Sequence, residues 1–65
     1  MSTREHNKQY LQLNDAQYDR HVAYMKDMST WPQSLRDFVQ RECKRVGFSG
    51  DVMAVAVADW IRQNG

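Results

Sequence analysis

Val52-Met53-Ala54-Val55-Ala56-Val57-Ala58 sets seven consecutive apolar residues near the end of a chain of only 65. A helix on a protein surface buries one apolar stripe and keeps polar residues elsewhere, so a run that is apolar on every side needs cover from more than one direction. A domain of this length has a small core, and the expectation is that a second copy supplies part of the cover. Val52, Val55, Ala56 and Trp60 are the predicted dimer contact. Valine is a poor helix former in isolation, so packing must hold this segment helical.

Working outward, Ser49 is placed to cap a helix whose first turn carries Asp51, and the predicted span is about 50–63. Gly47 before it can take the left-handed conformation that ends a helix. The preceding segment carries Leu35, Phe38, Val39, Cys43 and Val46 at helical spacing, with Arg36, Gln40, Arg41, Lys44 and Arg45 on other faces. Its start is marked by Trp31-Pro32, because proline disfavours helical geometry at the residue before it and is tolerated in a first turn. This predicts a helix over about 32–46 and a C-terminal helical hairpin. Further back, Asn14 with Gln17 three residues on forms a capping-box pattern, and Tyr18, Val22, Met25 and Met28 step by three or four. A first helix over about 14–28 follows, with Leu13 placed to staple onto Tyr18. Residues 1–12 are polar with a weak alternation at Gln9 to Leu13, and the expectation there is a flexible tail ahead of a single helical domain over 13–65. The fold class is all-α with three short helices.

Composition narrows function by exclusion. Charged residues are 26% and hydrophobic ones 42%, close to globular averages, and the net charge of +1 lacks the Lys and Arg excess that non-specific phosphate binding needs. Cys43 is the single cysteine, so no internal disulfide forms, and no apolar stretch approaches the roughly 20 residues that span a bilayer. A cytoplasmic protein with no membrane partner is expected.

Catalytic chemistry finds no constellation. Cys43 falls at a core spacing, far in sequence from His6 and His21, which reads as a small buried thiol rather than a nucleophile beside its base. His6, His21 and Cys43 come from separate segments without close-ligand spacing, so neither a metal nor another cofactor is expected. Asp51 and Asp59 read as a helix-start acid and a solvated acid. No enzyme activity and no small-molecule substrate are expected.

From Pro32 on, the apolar positions Leu35, Val39, Cys43, Met53, Ala54, Val57, Ala58 and Ile61, broken by Gly47-Phe48-Ser49, resemble the two helices of Arc-type ribbon-helix-helix DNA-binding proteins. The resemblance covers residues 31–63, about half of the chain. It implies a dimer of interlocked hairpins, and a strand just before the first of the two helices whose outward residues enter the major groove. In this sequence Lys26, Met28 and Thr30 stand at those positions. The same stretch also reads as the end of the first helix, and a ribbon at Lys8, Tyr10 and Gln12 restores alternation only by placing Arg36 and Gln40 on buried positions.

Two functions follow as expectations. The first is a small regulatory or inhibitor protein that binds a protein partner through Tyr24, Trp31, Arg41, Lys44 and Arg45 and forms a homodimer through its C-terminal helix; tryptophan and arginine are enriched among interface anchors. The alternative is a dimeric DNA-binding repressor, with nucleic acid contacted through Lys26, Met28 and Thr30.

Overall fold

The computed structural model describes residues 3–64, and among them every regular element is helical. Helix α1 spans Thr3–Leu11, α2 Asp15–Lys26, α3 Gln33–Val46 and α4 Gly50–Asn64, with a single 3-10 turn at Met28–Thr30. The all-α class and the spans of the last three helices match the sequence expectation. The helix count does not, because Thr3–Leu11 form a helix where a polar tail was expected.

α4 is the central element. Both α2 and α3 pack against it, so two of its sides are covered within one chain. Val57, Ala58 and Ile61 are fully buried, Ala56 and Trp60 nearly so, and Leu35 and Val39 of α3 close the core with Trp31, Leu11 and Leu13. Much of the apolar run at 52–58 therefore finds its cover inside the protomer. Each of these larger side chains contributes about 1.5–3 kcal/mol when removed from water, and this burial is what holds the valine-rich segment helical.

The turns obey local chemistry. Asn14 caps α2, its side chain accepting from the Gln17 N–H at 2.8 Å while the Gln17 side chain accepts from the Asn14 N–H at 3.0 Å. Ser49 Oγ accepts from the Val52 N–H at 3.1 Å at the start of α4. Gly47 ends α3 at φ +96 with its N–H on the Cys43 carbonyl at 2.8 Å, a conformation costly for any residue with a Cβ. Trp31 is extended at φ −69, ψ 131 ahead of Pro32, and the chain reverses there from α2 into α3.

α1 escaped the sequence reading because Leu11 alone among its residues is buried in the core and its other docking contacts are polar, which apolar periodicity cannot detect. Arg4 bonds Asp19 at 2.9 Å and lies 4.9 Å from the centre of the Tyr18 ring, and Lys8 is paired with Glu5 and with Asp15. At its end Gln12 takes φ +59, with the Leu13 N–H on the Lys8 carbonyl at 3.0 Å and the Gln12 N–H on the Gln9 carbonyl at 3.2 Å. This is a Schellman motif with glutamine where glycine is usual. Arg62 of α4 then donates to the Leu11 carbonyl, tying both ends of the chain together.

A left-handed glutamine carries a steric cost that glycine avoids. Gln12→Gly is expected to raise stability by up to about 1 kcal/mol, seen as a higher urea midpoint with an unchanged slope. A lower midpoint would show that the Gln12 side chain holds α1 in place.

Acid should act on the turn at 27–31. Asp27 accepts from the Ser29 hydroxyl at 2.6 Å and from the Ser29 N–H at 3.0 Å, and these bonds hold its carboxyl below the ordinary range, the hydroxyl contributing most. A carboxylate with a depressed folded pKa stabilises the fold above its unfolded pKa, and that contribution is lost as pH falls from about 4 through the folded value. Asp27→Asn, which keeps an acceptor and removes the charge, is expected to flatten the acid limb of stability measured by circular dichroism between pH 5 and 2. An unchanged limb would assign it elsewhere.

Candidate functional site

A groove of about 530 Å³ is lined by one side of α3, by the 3-10 turn before it, and by Phe48 and Met53 after it. The buried Trp31 and Val39 show one edge each in its floor, Cys43 and Met53 extend it, and Met28 and Phe48 stand at its ends. Phe48 is 78% exposed and Met28 49%, an unusual outlay of large apolar surface for so small a chain. Arg36 and Lys44 line the groove together with Gln33 and Gln40, and no carboxylate does.

Local structure positions each group. Asp27 anchors the 3-10 turn through Ser29, and the Thr30 hydroxyl donates to the Asp27 carbonyl at 2.8 Å, which fixes Met28 at the groove's edge. The Met28 carbonyl accepts from the Trp31 N–H at 3.2 Å and from Arg36 Nη2 at 3.1 Å. Trp31 Nε1–H donates to the Tyr24 carbonyl at 2.8 Å, one of the acceptors left over at the end of α2. Gly47 turns the chain so that Phe48 projects beyond α3.

A second, smaller concavity of about 280 Å³ lies between the end of α3 and the outer side of α4. Val46, Val52, Val55 and Ala56 form its apolar part, and Glu42, Asp51, Asp59 and Arg45 surround them. Arg45 is bound to Glu42 at 2.7 Å, and Asp59 is bound to Arg62, while Asp51 makes no ion pair among the described residues. The two concavities share no residue. One is lined by cations and the other mostly by acids.

The residues singled out from sequence are distributed unevenly. Trp31 and Lys44 both line the larger groove, the first in its floor and the second on its rim. Tyr24 sits partly buried, its ring edge-on to Trp60 at 6.2 Å and its carbonyl bound to Trp31, so it supports the groove from beneath. Arg41 is exposed and lines neither concavity, and Arg45 belongs to the smaller one. Of the dimer set, Ala56 and Trp60 are interior to the protomer, at 3% and 9% exposure, whereas Val52 and Val55 remain accessible on the outer side of α4. Lys26 ends α2, and Met28 and Thr30 belong to the 3-10 turn; no strand occurs there or elsewhere among the described residues. The alternation that a ribbon needs is replaced by helical geometry.

Sequence reasoning weighed Arg36 within a basic set with Arg41, Lys44 and Arg45 but passed over Phe48 as a binding group, although a phenylalanine between a helix-ending glycine and a capping serine has no core position to occupy. It also missed His21, which is buried and donates Nε2–H to the Ala54 carbonyl at 3.0 Å, with its ring stacked on Tyr18 at 6.3 Å. That bond joins α2 to α4, and His21 lines neither concavity. Among the described residues no three His, Cys, Asp or Glu side chains gather to hold a metal, and no helix is long and apolar enough to cross a membrane.

If Phe48 serves an external contact, folding should not need it. Phe48→Ser is expected to change unfolding free energy by no more than about 0.5 kcal/mol, measured by urea titration, because an exposed side chain has little burial to lose. A loss near 2 kcal/mol would return Phe48 to the core. The chain matches no family model, no curated protein and no solved structure.

Proposed function

We propose that this chain is a small non-enzymatic regulatory protein that works by binding a protein partner through the groove between Met28 and Phe48, and that it also self-associates through the outer side of α4. The observation that carries this reading is the groove itself: a largely apolar concavity of about 530 Å³, lined by exposed Phe48 and Met28 and by Arg36 and Lys44 without a carboxylate among the lining residues. Large apolar side chains in a concave patch with a polar rim are the pattern of a macromolecular contact, in which a few anchors supply most of the binding energy. α3 runs alongside this groove from Gln33 to Lys44, a length of about 17 Å, which suits a helix or an extended segment laid along it.

The test uses a photoreactive amino acid placed at Gln40 inside the groove and, separately, at Arg41 outside it, in cells that make the full chain. A discrete heterologous adduct from position 40 that is absent from position 41 and lost in Phe48→Ser is expected. Adducts of equal pattern from both positions, or none from position 40, would refute a groove-bound protein partner.

A further inference from the structure

The groove and the outer side of α4 carry complementary charge at the same spacing. Arg36 and Lys44 are eight residues apart on α3 and both line the groove, with Gln40 midway between them. Asp51 and Asp59 are eight residues apart on α4 and both line the smaller concavity, with Val55 midway between them. Eight residues of helix rise about 12 Å and turn the side chain by about 80° beyond two full turns, so each pair brackets one side of its helix at the same separation.

The apolar groups match as well. On α4, Val52 and the 37% exposed Val55 lie between the two acids and line the smaller concavity, with the 53% exposed Val46 of α3 beside them. On the groove side, Phe48 and Met28 stand at either end of a floor made by Val39, Cys43 and Met53. Lys44 makes no ion pair among the described residues and Asp51 makes none either, so both are available to an outside charge. Arg36 gives one N–H to the Met28 carbonyl and keeps others, and Asp59 gives Oδ1 to Arg62 and keeps its second oxygen.

We infer that the groove's occupant, in the absence of another protein, is the outer side of α4 from a second copy of this chain, with Val52 and Val55 against the groove floor, and Asp51 and Asp59 against Arg36 and Lys44. The inference rests on the reading of the groove as a protein-docking surface and adds a regulatory consequence to it. Self-assembly and partner binding compete for the same groove, so a groove filled by another copy is closed to a partner until that copy leaves, and only the groove at the end of an open assembly stays accessible. The contact joins two different patches, so an open assembly of any length still offers one groove and one acidic α4 patch, and mass rises with concentration until the assembly closes on itself. Exposed charge pairs are individually weak, so the apolar contact supplies affinity and the charges choose the register.

The test is light scattering on the full chain over a concentration series, with three charge variants. Arg36→Glu/Lys44→Glu reverses the charge of the groove, Asp51→Lys/Asp59→Lys reverses that of the α4 patch, and Lys44→Glu alone breaks no bond or ion pair described within the protomer. Circular dichroism verifies that each is helical. The expected result is a mass that rises with concentration for the parent, at least a tenfold weaker association for each variant alone, and restored association when the two double variants are mixed one to one, since each then meets its opposite charge. A parent that keeps the mass of one protomer up to about 1 mM, where even 4 kcal/mol of association would show, overturns the inference. So does association that the variants leave unchanged, or that mixing fails to restore. The two readings separate cleanly: a monomeric parent that still gives the groove-specific heterologous adduct overturns self-pairing alone, whereas restored self-assembly without any such adduct supports self-pairing and overturns the heterologous partner.

Discussion

Two-sided burial of α4 is the constraint on which the rest of this protein depends. A helix with Val52 to Ala58 along its length cannot be stable with one covered stripe, and α2 and α3 both pack on it. With only 65 residues available, covering α4 twice leaves little chain for connections, and the turns at Gln12-Leu13, at 27–32 and at 47–49 are correspondingly short. Each turn is closed by its own local chemistry, a Schellman end, an aspartate-anchored 3-10 turn and a glycine-serine pair. Those devices let three direction changes occur without buried polar groups going unpaired; none of the buried side-chain nitrogen or oxygen atoms among the described residues lacks a partner.

Polar groups supply the precision that the apolar core lacks. Leu35, Val57 and Ile61 would pack in more than one way, because contacts between aliphatic side chains are not directional. His21 Nε2–H on the Ala54 carbonyl sets the register of α2 on α4, and Trp31 Nε1–H on the Tyr24 carbonyl sets the angle at which α3 departs. Both bonds pair a buried ring N–H with a main-chain carbonyl, so losing either leaves a donor unsatisfied in an apolar setting. Arg62 on the Leu11 carbonyl does the same for the two ends of the chain.

The same economy shapes the surface. Since α4 is spent on the core, α3 has one side inward and the other outward, and the turns at its two ends display Met28 and Phe48. Cations gather along the outward side of α3 and acids along the outer side of α4, although the net charge of the whole chain is only +1. A nearly neutral total thus conceals two oppositely charged, partly apolar faces. Such segregation bears on association and specificity rather than on folding, because solvent screens these exposed charges within the protomer.

The sequence by itself determined what depends on neighbours along the chain. Asn14 with Gln17, Trp31-Pro32, Gly47 and Ser49 mark helix ends through contacts within four residues, so the limits of α2, α3 and α4 were legible to within a residue or two. The all-α class followed from the same signals. Residues brought together from distant segments were decided only by the tertiary structure. Thr3–Leu11 dock as a helix through Leu11 in the core and ion pairs to α2, which leave no periodic mark; Trp60 and Ala56 belong to the core because α2 and α3 both reach α4; and Arg36, Lys44, Met28 and Phe48 become one groove because a three-residue turn brings residue 28 alongside residue 36. Spacing along a helix shows which residues share a side, but what covers that side is set by the packing of elements far apart in sequence.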